Sequence, residues 1–331
     1  MKLIHLVFTF VFLVSCSEAE LKLHTLKGNA FGTTYGIQYF STDGFDAEKG
    51  IDSVFYAVNK SVSTYMPESD ISKINRGDST LVVDQIFKDV FILSEKIFKQ
   101  SEGFFDPTVG TLRNAYGFGD VKPLQRMNQA TLDSLMQFVG FQKVSLTSEG
   151  TIKKTHPEIY LDFNAIAKGY GIDCIGSYLE KQGVDHYLIE LGGEVLAQGE
   201  QIEKQKPWMA GVESPDSRLD DRTSLLAISL KNQALASSGN YRKFRVDSLS
   251  GRKLVHTINP LTGLAEEVDI TSASVLAPNC AMADAYATTF MALGVQKAIL
   301  LLNELEDIEA YFTYENAKGD QREFKSSGFK N

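Results

Sequence analysis

A chain of 331 residues with 33 basic against 42 acidic side chains carries a formal charge of −9, with 43% hydrophobic and 23% charged residues. These proportions are those of an ordinary globular protein and exclude a collagen, a coiled coil or a wholly disordered chain. The acidic balance provides no footprint for a phosphate backbone, so nucleic acid is not an expected partner.

The N-terminus reads MKLIHLVFTFVFLVSC, with Lys2 at the front, an apolar run through Val14, and the small Ser15 before Cys16. The run is shorter than the ~20 apolar residues that a membrane-spanning helix needs. It reads instead as a leader, and Leu13-Val14-Ser15-Cys16 resembles a bacterial lipobox. Residues 1–15 are therefore expected to be a lipoprotein signal peptide, and residues 16–28 a lipidated Cys16 with a short tether. Residues 29–331 then form the folded domain, with length enough for two lobes. The expected location is the bacterial cell envelope, on a membrane and facing the periplasm; ordinary secretion with a free Cys16 is the alternative. Only Cys174 and Cys280 remain, too few for a disulfide framework and without zinc-site spacing. Either they bridge each other or they are buried as small apolar residues.

Residues 29–41 mix β-branched residues, aromatics and glycine and suggest a first strand. Ile51, Val54, Phe55 and Val58 recur at helical spacing, and a second amphipathic helix is expected at 84–99. Further along, the pattern predicts a helix at 129–139, a strand at 157–163 and a helix at 165–181. Strands follow at 186–198, 207–213 and 223–230, and helices return at 279–303. Strands that come in twos and threes between helices, without a steady βαβ rhythm, point to an α+β fold of mixed or antiparallel sheets packed with helices.

Four islands place polar residues and glycines where a plain core would not. In LDFNAIAKGYGID, Asp162, Asn164 and Lys168 lie at a strand-to-helix corner whose amide dipoles suit an anion, although Asp162 and Asn164 could equally be helix caps. In LIELGGEVLAQG, Gly192-Gly193 is either a place of close ligand approach or a tight hairpin. ASSGNYRKF and HTINPLTG offer hydroxyls, amides and His256, one of five histidines. NCAMADAYATTFMALG sets Asp284 and Thr288 at i and i+4, about 40° apart on one helix face. A carboxylate beside a hydroxyl suits a hard cation such as Mg²⁺. A Thr288 hydroxyl bonded back to the Asp284 carbonyl explains the same pair.

Taken in order, FGTTY, STYMPESDISKIN, FDPTVGTL, LDFNAIAKGYGID, LIELGGEVLAQG, HTINPLTG and MADAYATT resemble the ApbE-type FAD:protein FMN transferases, over residues 29–293. The resemblance implies a deep FAD cleft and a Mg²⁺-dependent enzyme. Such an enzyme transfers FMN from FAD to a Thr or Ser hydroxyl of a partner protein through a phosphoester bond and releases AMP. The partner class it implies is a redox or electron-transport subunit of the envelope. A non-catalytic FAD-binding lipoprotein and an FAD pyrophosphatase are the alternatives. By position, the resemblance makes Asp284, Thr288 and the Ala165 backbone oxygen metal ligands and His256 the catalytic residue. Tyr65, Phe104, Phe105, Asp106, Asp162, Lys168 and Ile258 become FAD contacts, with Gly192 and Gly193 near the flavin cleft. Phe31 stands where Met is usual and can still cover an isoalloxazine face. Asn259 replaces a frequent Asp, keeping a turn-forming amide without the charge.

Overall fold

The structure is a computed structural model and describes residues 20–124, 127–213, 224–240, 244–246, 251 and 253–330. The expected signal peptide, Cys16 and the start of the expected tether lie outside the described residues. In chain order the elements are β1 (Lys22–Ala30), β2 (Thr33–Ser41), α1 (Glu48–Val62), α2 (Asp70–Asn75), α3 (Gln85–Gln100), α4 (Gly110–Tyr116), α5 (Gln129–Met136), β3 (Val144–Leu146), β4 (Ile152–Lys154), α6 (Ala167–Lys181), β5 (Tyr187–Leu191), β6 (Glu194–Gln198), β7 (Trp208–Glu213), β8 (Ser224–Leu230), β9 (Gln233–Gly239), β10 (Phe244–Val246), β11 (Lys253–Val255), β12 (Ile270–Ala277), α7 (Cys280–Leu293), α8 (Val295–Leu302), β13 (Glu309–Glu315) and β14 (Gln321–Lys325).

Eight strands form one sheet in the order β1-β2-β5-β6-β9-β12-β13-β14, every neighbouring pair antiparallel. The α+β expectation therefore holds. Strand alternation divides this sheet into two buried faces. Leu196, Ala234, Ala236, Ala273, Val275 and Phe312 join the large core under the helices. Their neighbours Val195, Ala197, Leu235, Leu276 and Tyr311 join a second core, covered by Trp208, Val212, Ile228 and Leu230 of the β7–β8 hairpin. A third, smaller core gathers Leu112, Leu132, Val139, Ile258 and Ala265 beneath α4 and α5.

Two sequence expectations change. The single strand at 29–41 is a hairpin, because Phe31 (φ 50°) and Gly32 (φ 75°) form a two-residue turn joining β1 to β2. Residues 22–28 accordingly belong to β1 and not to the tether: KLHTLKG is polar enough to read as a linker, yet its backbone is paired along its whole length with β2. The segment 157–163 is not a strand. Its backbone is satisfied without a ladder: Asn75 Oδ1 accepts from Leu161 N and Asn75 Nδ2 donates to Leu161 O, both at 2.8 Å, and Asp162 N donates to the Pro107 carbonyl at 2.8 Å. Cys174 and Cys280 are free thiols, and burial pushes the Cys174 thiol up to about 11.

Helix α6 is built for close approach. A Cβ at Gly169 would overlap the Cys280 carbonyl of α7, and one at Gly171 would meet the Phe31 ring at 2.5 Å. Glycine inside a helix costs roughly 0.5–1 kcal/mol relative to alanine. Here it lets α7 and the β1–β2 turn reach the start of α6.

Candidate functional site

The site forms at one end of the large sheet. The β1–β2 turn and the β5–β6 turn lie side by side there, since Gly192 N donates to Thr34 O at 3.0 Å. Gly192 (φ 64°) and Gly193 (φ 105°) are the two central residues of the β5–β6 hairpin, so the hairpin reading of this glycine pair is correct. A side chain at Gly192 would press on Thr33 at 2.7 Å. The first residue after the turn, Glu194, is 4% exposed and points to the helix side of the sheet, as Leu196 does.

There Glu194 meets Lys168, one residue into α6, in a short ion pair that is buried on the carboxylate side. Burial opposes the Lys168 charge, but Glu194 and Asp284 overcome it and hold the ammonium protonated above the ordinary lysine range. Asp284 itself is 4% exposed and accepts from Gly169 N at 3.1 Å. That N–H would ordinarily return to the Ala165 carbonyl, four residues back. Helix α6 therefore begins only at Ala167, and the Ala165 oxygen is left without its helical donor. Asp173, one turn further along α6, accepts from Cys280 N at 2.7 Å and Ala281 N at 2.8 Å and so fastens the start of α7. Burial, with Asp284 adding to it, lifts the Asp173 carboxyl to about 7 against those two bonds.

Thr288 does not bond back to Asp284. Its hydroxyl faces Ser238 of β9 at 3.3 Å, while the neighbouring Thr289 makes the backward bond, to Ala285 O at 2.7 Å. Asp284 and Thr288 thus share a face of α7 turned toward the sheet and α6, as the i, i+4 spacing implies.

This donor set suits Mg²⁺. A carboxylate, a hydroxyl and a carbonyl freed from its helix are hard oxygen ligands. Glu194 and Asp284 both act on the Lys168 ammonium, and Asp284 also faces Asp173. Among the described residues no group of three His, Cys, Asp or Glu side chains is placed to hold a metal ion, so the candidate set has a single carboxylate, Asp284, beside neutral oxygens. An ion held by so few protein ligands keeps positions for water and phosphate oxygens.

The other expected site residues divide. Phe31 packs over Gly171 and edge-on to Phe55, with ring centres 5.4 Å apart. Tyr65 is 61% exposed on the turn before α2. Asp162 pairs with Arg113 of α4 and accepts from Asn164 N and Nδ2 at 2.7 Å each; neither residue caps α6, whose N-cap is Ile166. Ile258 packs against Leu112 in the small core, and the amide at Asn259 shapes its turn by accepting from Leu261 N at 2.9 Å.

Phe104, Phe105 and Asp106, which the resemblance places at positions contacting FAD, are buried. Lys297 sits 4.7 Å over the Phe104 ring, and Phe105 belongs to the main core. Asp106 uses both carboxylate oxygens internally: one accepts from Thr108 N (2.8 Å) and Oγ1 (2.6 Å), the other from Phe141 N (3.0 Å). Burial raises this carboxyl from 3.8 to about 6, against those three bonds. Between about pH 6 and 4 the folded protein therefore binds this proton more readily than the unfolded chain, so Asp106's contribution to stability grows as pH falls through that window. Asp106→Asn turns an acceptor into an amide donor facing an existing donor. It is expected to destabilise by about 1–3 kcal/mol, read from urea unfolding at pH 7, and an unchanged midpoint would contradict the assignment.

Among the described residues the histidines other than His256 have structural roles. His24 stacks on Tyr39 at 5.1 Å, His156 lies edge-on to Phe138, and His186 Nδ1 accepts from Glu200 N at 2.9 Å. His256 lies directly after β11, partly exposed, on the bend that leads to Ile258. The sequence reading missed Glu194, whose only signal was an acidic residue opening an otherwise apolar strand.

Residues 31–312 match the model of the ApbE family. The chain belongs to the ApbE family. It is 32% identical over 299 residues to the FAD:protein FMN transferase of Haemophilus influenzae, covering 87% of this chain and 85% of that one. It is 31% identical over 330 residues to the protein of the same name from Vibrio cholerae, covering 97% and 96%. Among solved structures, the flavin transferase ApbE of Vibrio cholerae superposes with a TM-score of 0.82 at 29% identity, over 94% of this chain and 99% of that one. The ApbE matches thus run through every island from the Phe31 turn to Thr288, so the motifs and the fold belong to one family.

Proposed function

We propose that this chain transfers FMN from FAD to a Thr or Ser hydroxyl of an acceptor protein, in a Mg²⁺-dependent reaction that releases AMP. The observation that carries this reading is its near full-length similarity, at 31–32% identity, to proteins named FAD:protein FMN transferase. The cluster around Lys168 and Asp284 supplies the chemistry that such a transfer requires.

Asp284, Thr288 and the Ala165 carbonyl would hold Mg²⁺. When bound, that ion supplies the positive charge that a pyrophosphate entering an acidic protein lacks, and stabilises the departing phosphate. Lys168 adds a fixed ammonium on the same side. Phe31 and the Gly192-Gly193 turn line the approach for the flavin, and Asp162, paired with Arg113 of α4, and Ile258 of the small core border it. His256 accepts the proton of the acceptor hydroxyl. The hydroxyl oxygen forms a bond to the FMN phosphorus, the pyrophosphate bond breaks, and AMP leaves with its oxygen. Positioning and electrostatics supply most of the acceleration in phosphoryl transfer of this kind.

The leader motivates the location we propose: lipid on Cys16 holds the domain at a membrane, facing the periplasm, where it flavinylates a redox or electron-transport subunit. No helix among the described residues is long and apolar enough to cross a membrane.

The test incubates the soluble domain with FAD, Mg²⁺ and an acceptor bearing the flavinylated Thr or Ser, and reads covalent flavin fluorescence after denaturing electrophoresis. Labelling that disappears on chelation is expected. A folded acceptor that never acquires flavin contradicts the reading.

A further inference from the structure

Glu194 lies inside the proposed site but has no part in the transfer described above. Its side chain is 5% exposed. One oxygen, Oε1, is committed to Lys168. The other, Oε2, is buried and has no hydrogen-bond partner. A buried carboxylate oxygen without a donor is costly, and native proteins leave few such atoms. The strand cannot cure this itself, because the β5–β6 register fixes Glu194 opposite Leu191 at the turn, with its side chain on the helix face. The neighbouring strand offers no donor at that level: β9 pairs Leu235 with Val195, so the small Ala236 comes next beside Glu194. A second orphan acceptor, Asn240 Oδ1, follows β9 at the same end of the sheet and is also buried.

Two arrangements could satisfy Oε2. A cation could bind it, but Lys168 already neutralises this carboxylate through Oε1. A neutral donor fits better: a hydroxyl or N–H completes the carboxylate without adding charge to an ion pair that is already balanced. FAD carries such donors in its ribityl and ribose hydroxyls and its ring N–H groups.

We propose that Glu194 is a substrate-binding residue whose Oε1 fixes Lys168 and whose Oε2 accepts a hydrogen bond from a hydroxyl or N–H of bound FAD. It thereby links the orientation of the Lys168 ammonium to occupancy of the site. This inference rests on the FAD-dependent reading above.

Glu194→Gln keeps the shape of the side chain, but its amide presents either a donor where Oε2 accepted or a neutral partner to Lys168. The dissociation constant for FAD, read from flavin fluorescence in chelator so that no turnover occurs, is expected to rise at least tenfold. Glu194→Asp, which keeps the charge, should recover part of that loss. A merely structural role would lower the melting temperature of both variants without this order in FAD affinity. Unchanged FAD affinity in Glu194→Gln overturns the proposal. If the variant does not fold, a crystal structure of the unaltered protein with FAD decides. A FAD donor within 3.2 Å of Oε2 supports it, and an Oε2 that is still unpartnered or bound to a cation overturns it. A parent protein that binds no FAD would instead overturn the underlying transferase reading, so the two failures are distinguishable.

Discussion

Replacing Asp284 by alanine is expected to abolish Mg²⁺-dependent flavin transfer, with a loss on the order of 10³-fold or more, while the fold survives. The expectation follows from the position of this one side chain. Asp284 is the carboxylate of the proposed Mg²⁺ site, where Thr288 and Ala165 offer only neutral oxygens, and removing it takes away the strongest attraction for a divalent ion. Its structural duties are one hydrogen bond, from Gly169 N at 3.1 Å, and a share in holding the Lys168 charge, whose ion pair with Glu194 remains. That N–H can return to the Ala165 carbonyl when Asp284 is gone, extending α6 by its natural i to i−4 bond. The start of α7 stays fastened by Asp173 and by the Asn279 cap, which accepts from Met282 N at 2.9 Å. The variant should therefore unfold at close to the parent's denaturant midpoint while forming no flavin adduct. Retained activity would place the metal elsewhere.

The second large effect is expected at His256. Positioned proton transfer contributes roughly 10²–10⁴-fold to a reaction of this type, so His256→Ala should slow transfer by about that factor and leave FAD binding nearly unchanged. The other described histidines each have a structural explanation, in ring stacking for His24 and His156 and in a backbone bond for His186. Measuring the FAD dissociation constant beside the single-turnover rate separates the two roles. Equal losses in both would make His256 a binding residue and leave the acceptor proton to another group.

Much of this organisation is legible in the sequence because its signals are local. The i, i+4 spacing of Asp284 and Thr288 fixes their common face, the paired glycines fix the β5–β6 turn, and the apolar spacing of α1 and α3 announces amphipathic helices. What escaped depends on distant partners. β12 is buried on both faces, so ITSASVLA lacks the alternation that marks a strand with one wet side. β1 has the opposite problem, since KLHTLKGNA is polar enough to pass for a tether and becomes a strand only through β2. The apolar run around Leu161 has strand character, but the amide of Asn75, 86 residues away, takes the place of a neighbouring strand.

Site residues follow the same division. Lys168 and Asp284 stand out because charge sits in small-residue, glycine-rich surroundings. Glu194 does not stand out, because its importance comes from meeting Lys168 across the sheet-to-helix interface. Asp106 shows the complementary case: an acidic residue in FDP has the look of a ligand contact, and its internal bonds to Thr108 and Phe141 are invisible in the sequence.

The central claim is that the pyrophosphate of FAD is opened by an acceptor hydroxyl and not by water. Intact-mass spectrometry of the acceptor together with quantified AMP tests this most directly. The account predicts one AMP released for each FMN mass added to the acceptor, and no adduct when the acceptor Thr or Ser is replaced by alanine. AMP accumulating beside free FMN, with the acceptor mass unchanged, would contradict it.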